Sequence, residues 1–271
     1  MSVVDILARP DGDLTAPIAR ANPVAKLGVS LVVSLTLIVT VDPVTAGTAL
    51  VLELLALPWC GLGPRALFRR GWVVLVGALP AGAVTTLYGV DGGKVLLDLG
   101  LLTVTQGSAE SGAAIALRVL AIGLPGVVLL ATTDPTDLAD ALGQILRLPA
   151  TFVLAALAGM RLFGLLVTEW EALRLARRAR GLGDDGPLGR ARTAAGQAFA
   201  LLVLTIRRAT VLATAMEARG FGAGGPAARR TWARPSRLDA GDVVLLCGGV
   251  LLGAAATAAG VLAGTWELVL G

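Results

Sequence analysis

Two arginines stand inside the same five-residue pattern, Ala179-Arg180-Gly181-Leu182-Gly183 and Ala218-Arg219-Gly220-Phe221-Gly222. An arginine in a last helical turn favours the dipole, and a glycine just after it is the common left-handed cap. One copy would therefore be an ordinary helix ending. Two copies, each closing a long helical run in the same basic block, point to a shared use. A guanidinium at a helix tip projects a planar fork of donors that suits carboxylates on a partner surface. Ala179 and Ala218 leave room for close approach, and Gly181 and Gly220 permit the turn away.

Other chemistry is thinly supplied. There is no histidine, which removes imidazole metal sites and Ser-His-Asp triads. Cys60 and Cys247 lie far apart without a C-x-x-C spacing, so neither a zinc site nor a disulfide framework follows. Gly92-Gly93-Lys94 is followed by valine and makes no phosphate loop. Gly181-x-Gly183-x-x-Gly186 matches a dinucleotide fingerprint in letters only, because it follows a helix and contains Asp184 and Asp185. Glu53 falls in an apolar stretch, where an acid costs about 2.5–3.5 kcal/mol on insertion scales. It reads either as a proton or cation site or, preferably, as a hydrogen-bonded acid near the inner end of a short helix. Arg65, Arg69 and Arg70 suit an anchor to anionic lipid. Nucleic acid would require aromatics among the basic residues, and the basic block has little beyond Trp170 and Trp232. No catalytic residue, metal site or cofactor is expected. A lipid-modifying membrane enzyme would need a polar constellation near the spans that the chain does not supply.

The elements that must position these residues are membrane helices. Of 271 residues 55% are hydrophobic and 15% charged, and mean hydropathy is +0.79; a soluble domain carries about 25% charge. A span needs about 20 apolar residues. Gly71–Val90 and Val243–Thr265 meet this without a charge. Leu27–Val41 and Pro43–Trp59 form a tight hairpin divided at Asp42-Pro43, and Ala113–Thr133 carries Arg118 in its first turns, most simply a snorkelling residue. Gly92–Gly112 reads as a loop or interfacial piece. Met1 to Ala21 lacks an apolar core, so no cleavable signal peptide is expected.

Charge decides the topology. With the N-terminus inside, Arg9, Arg20, Lys26, Arg65, Arg69 and Arg70 fall inside, while Asp91, Lys94, Asp98 and Glu110 fall outside. Pro149–Val167 is apolar enough to cross, but crossing there would place Arg174, Arg177, Arg178 and Arg180 outside. Residues 134–241 are therefore expected in the cytoplasm. Three helices are expected there: one starting at Asp134-Pro135-Thr136-Asp137, one from Pro149 to Arg180, and one from Gly189 to Arg219. Fifteen arginines lie between Asp134 and Asp242, and Gly224–Arg237 reads as a linker. The expectation is an all-α polytopic membrane protein. Residues 1–133 hold the N-terminal region and four spans, 134–241 a cytoplasmic domain of three helices, and 242–271 a fifth span. The apolar cytoplasmic helix must then be covered by a partner, the membrane face or both.

These motifs resemble a family. Met216-Glu217-Ala218-Arg219-Gly220-Phe221 and Leu175-Ala176-Arg177-Arg178-Ala179-Arg180-Gly181 are similar to the two Ala-Arg-Gly motifs that end the coupling helices of the transmembrane T component of energy-coupling-factor (ECF) vitamin and metal transporters. Thr132-Thr133-Asp134-Pro135-Thr136-Asp137-Leu138, with Ala141-Leu142 and Pro149, looks like that family's entry into the coupling domain. Asn22-Pro23-Val24-Ala25-Lys26-Leu27 resembles its Asp-Pro-x-x-Lys-Leu element, with Asn for Asp. The resemblance spans roughly residues 20 to 265. It implies a non-catalytic subunit of the plasma membrane that binds no nucleotide. Two cytoplasmic ABC ATPase subunits, A and A′, would each take one motif arginine into a groove. A substrate-binding S component would pack on the membrane helices and topple to release its cargo. A stand-alone secondary transporter with Glu53 as its coupling site is the alternative.

Overall fold

The computed structural model describes residues 15–40, 42–89, 92–98, 103–181, 186–220 and 234–265. The stretch expected to lack a signal peptide falls mostly outside them, as do Asp91, Asp184, Asp185, most of the Gly224–Arg237 linker, and the Leu-Gly and Phe-Gly pairs after the two arginine tips.

Prolines punctuate the chain. Pro17, Pro23, Pro43, Pro64 and Pro135 each open a helix, where the absent N–H leaves no gap in the ladder and φ is already helical. The order is α1 (Pro17–Arg20), α2 (Pro23–Val39), α3 (Pro43–Ala56) with a 3-10 turn (Leu57–Cys60), then α4 (Pro64–Tyr88). A two-stranded antiparallel hairpin follows, β1 (Val95–Asp98) and β2 (Thr103–Thr105). Then come α5 (Gln106–Thr132), α6 (Pro135–Gln144), α7 (Ala150–Ala179), α8 (Gly186–Ala218) and α9 (Ala240–Leu262). Asp42 caps α3, accepting from the Thr45 N–H at 2.8 Å, and, as expected, Asp134 accepts from the Thr136 N–H at 2.7 Å at the start of α6.

Gly92–Gly112, expected to be a loop or interfacial piece, instead holds the hairpin and the first two turns of α5. The cause is a reciprocal cap. Thr105 Oγ1 accepts from the Ser108 N–H at 3.3 Å, and Ser108 Oγ accepts from the Thr105 N–H at 3.0 Å, which satisfies two otherwise orphaned donors. The earlier start places Arg118 in the middle turns of α5 rather than its first.

By length and composition six helical stretches are able to cross a membrane: Pro43–Cys60, α4, α5, α7, Leu188–Ala218 of α8, and α9. α2, at 17 residues, is apolar but shorter. Each of the five expected spans is helical over most of its described residues. The count differs because α7 and α8 are themselves long and apolar enough, and only 6% of each of their most apolar stretches is buried.

The described residues group into two compact units, one drawn from 7–141 and 236–271, the other from 142–235. In the first, Val33 and Leu37 of α2 pack with Ala46 and Ala49 of α3, Ala121 of α5 and Ala256 of α9. Small residues bring these helices close, the usual device where no hydrophobic gain separates protein from lipid. At Gly112 of α5, even a Cβ would stand 2.7 Å from the Gly82 carbonyl oxygen of α4. In the second unit α7 and α8 are tied twice. Arg177, near the end of α7, donates through Nη1 to the Thr193 carbonyl near the start of α8 at 3.1 Å, and Glu169 pairs with Arg208.

Candidate functional site

Each arginine tip is built by the same backbone turn. The Arg180 N–H donates to the Arg177 carbonyl at 3.1 Å and the Gly181 N–H to Arg178 at 3.0 Å. At the other tip the Arg219 N–H donates to Met216 at 3.1 Å and the Gly220 N–H to Glu217 at 2.9 Å. These bonds tighten the last turn and satisfy carbonyls that a helix end would leave open. Gly181 and Gly220 then adopt φ of 70° and 77°, a left-handed geometry that side chains resist. Ala179, Arg180, Gly181, Ala218, Arg219 and Gly220 are all exposed. Among the described residues no hydrogen bond or ion pair engages either guanidinium, so both forks are available to another molecule.

The tips are far apart. α8 has 33 residues and is ~50 Å long at ~1.5 Å per residue. The short connection from Arg180 to Gly186 covers at most ~21 Å. Arg180 thus lies near one end of α8 and Arg219 at the other, at least ~28 Å away, roughly the diameter of a small domain. A single acceptor groove could not take both. This separation is not legible in the motifs themselves. It follows from the length of helix between them.

The Asn22-Pro23-x-x-Lys26 element forms a second constellation, in the first unit. Lys26 is 6% exposed, and its ammonium donates to the carbonyls of Ala19 (2.8 Å) and Thr132 (3.1 Å) and to the hydroxyls of Thr132 (3.1 Å) and Thr133 (3.3 Å). It therefore fastens the end of α5, immediately ahead of α6, to the chain preceding α2. Asn22 caps α2, accepting from the Val24 N–H at 3.0 Å. Its backbone N–H donates to Asp242 Oδ1 at 2.6 Å, and its amide donates to Ser236 Oγ (2.9 Å) and the Arg237 carbonyl (3.0 Å). A carboxylate could not donate to that carbonyl and would face the Asp242 charge, which accounts for asparagine at this position. Lys26→Met should keep the apolar stem but orphan buried acceptors, lowering stability by about 1–3 kcal/mol. A fall in Tm of the purified chain in detergent is the measurement.

Glu53 is not the hydrogen-bonded acid expected. Its side chain is buried, and among the described residues neither carboxyl oxygen has a partner. Buried acids are usually satisfied by hydrogen bonds, and no pattern of residues along the chain signals the lack of a neighbouring donor.

The family described as CbiQ, cobalt transport protein, matches residues 15–229, a stretch that contains both arginine tips. The chain is also similar to the energy-coupling factor transporter transmembrane protein EcfT 1 of Listeria monocytogenes serotype 1/2a, 28% identical over 68% of this chain and 72% of that protein. The EcfT protein of Bacillus selenitireducens is 28% identical over 76% of this chain and 80% of its own length. That of Lactobacillus helveticus is 25% identical over 86% and 88%.

Proposed function

Because the chain belongs to the CbiQ family, and so to the transmembrane components of ECF transporters, we propose that it is the T subunit carrying ATPase motion to a separate substrate-binding S component. The observation that carries this reading is the pair of exposed arginine tips, alike in backbone geometry and at least ~28 Å apart. Arg180 docks one cytoplasmic ATPase subunit and Arg219 the other. Ala179 and Ala218 let the grooves close around the helix ends, while Gly181 and Gly220 carry the chain clear of them. Residues 134–241 lie in the cytoplasm or along the inner membrane face, and the N-terminus is inside.

Closure of the ATPase dimer on ATP draws the two tips relative to each other. The Arg177–Thr193 bond and the Glu169–Arg208 pair keep α7 and α8 together, so tip displacement becomes movement of the whole pair rather than fraying of one end. The exposed apolar faces of α7 and α8, such as Phe152 and Phe199, are covered by the S component and lipid. ATP is hydrolysed by the partners, and the chain itself performs no catalysis. The cargo, a vitamin or a transition-metal ion, is chosen by the S component.

Affinity purification of the tagged chain from its native membranes should recover two P-loop ATPase polypeptides and a further integral membrane protein. Uptake that persists after deletion of the ATPase genes would overturn the reading and favour a self-contained transporter.

A further inference from the structure

The first unit contains a cavity of about 560 Å³ between α3, with its 3-10 turn, and α9, backed by α2 and α5. Val33, Val128, Leu52 and Leu252 contribute to walls that are hydrocarbon almost throughout. Lys26 and Glu53 are the charged side chains in the lining. The Lys26 ammonium is already engaged by four oxygens. Glu53 is 7% exposed, and both its carboxyl oxygens lack a partner among the described residues. A buried carboxyl group in apolar surroundings calls for a compensating donor or cation. Glu53 lies one turn before the end of α3, and Trp59, 62% exposed, also lines the cavity, as befits a site close to a membrane–water interface.

We propose that this cavity binds an apolar amine: a hydrocarbon body fills the walls and a primary ammonium group pairs with the Glu53 carboxylate. The volume is that of a small-molecule site. A partner's transmembrane helix is disfavoured, because a cationic side chain inside a span, which it would need to pair with Glu53, is costly to insert. An aminophospholipid is disfavoured too, because its phosphate would need a free cation and Lys26 is taken.

The test uses the full chain in phosphatidylcholine nanodiscs, with tryptophan quenching by bromine-labelled dodecylamine and bromine-labelled dodecanol. The amine should quench saturably at a concentration at least tenfold below the alcohol, and Trp59→Phe should remove the saturable part. Glu53→Gln should weaken the amine at least tenfold and leave the alcohol unchanged. Gly248→Leu should abolish saturation, because Gly248 lines the cavity and a Cβ there meets nothing within 4 Å, leaving the larger side chain free to fill it. Equal quenching by amine and alcohol, an unchanged Glu53→Gln titration, or saturation surviving in Gly248→Leu would overturn the proposal. So would competition by phosphatidylethanolamine nanodiscs, which would make the occupant a bilayer lipid. Binding is read on this chain alone, so its failure leaves the coupling reading untouched.

Discussion

Replacing both motif arginines by glutamate, Arg180→Glu with Arg219→Glu, should abolish stable co-purification with the ATPase subunits or, where assembly persists, separate ATP hydrolysis from uptake. Each guanidinium is proposed to sit in a partner groove lined by carboxylates, and glutamate would turn that attraction into repulsion. Losing one member of a buried, hydrogen-bonded charge pair typically costs 2–5 kcal/mol at an interface. The tips are too far apart to share an acceptor, so their effects should add. About 4–10 kcal/mol corresponds to a loss in affinity of roughly a thousandfold or more. Either single replacement should give an intermediate loss. Neither arginine holds the chain itself together, so the Tm of the isolated protein should not move. Co-purification and uptake at wild-type levels in the double variant would refute the proposed docking.

Gly112→Leu should produce the largest loss of stability within the membrane unit. A Cβ at this position would overlap Thr86 Oγ1 and stand 2.7 Å from the Gly82 carbonyl oxygen and 3.0 Å from the Thr86 N–H nitrogen. Two of those three obstacles are backbone, so no rotamer change relieves them. α4 must move off α5, and overpacking of this kind costs about 1–3 kcal/mol or more. Gly126 of α5 is the internal control, because a Cβ there meets nothing within 4 Å. Gly126→Leu should leave Tm near that of the parent chain, whereas Gly112→Leu should lower it sharply or prevent recovery of folded protein. Size-exclusion chromatography after graded heating reads both. Equal behaviour of the two variants would mean that α4 and α5 do not approach as described.

Much of the architecture is legible along the chain because its signals are local. Asp42-Pro43 and Asp134-Pro135 mark helix starts through a cap and a pre-set φ, and Arg180-Gly181 and Arg219-Gly220 mark helix ends. The start of α5 is harder to read because Thr105 and Ser108 form a reciprocal cap without the glutamate or glutamine that usually announces one. The site divides along the same line. Both arginine tips are evident from repetition, whereas their separation depends on how far α8 runs unbroken. Lys26 stands out as part of a short motif, yet two of its acceptors belong to Thr132, at the far end of α5. No pattern of residue types reports such a contact. The same holds for Glu53: hydropathy marks it as an acid in an apolar stretch, but its want of a donor is a property of the packed neighbours. For α7 and α8 hydropathy and charge give opposing readings, since length and apolarity qualify both as spans while the arginines argue for the inner side.

Each fork sits on the residue that directly follows a continuous helix, with a left-handed glycine directly behind it, and this ties its compass bearing to the residue count. Every residue added or removed between Thr193 and Arg219 would swing the fork by ~100° about the axis and shift it by ~1.5 Å. Seven residues amount to nearly two full turns, an offset of only ~20°. Length drift in α8 is therefore tolerable in steps of seven, with a change of ~10 Å in reach, while a lone insertion would aim the guanidinium away from its proposed groove.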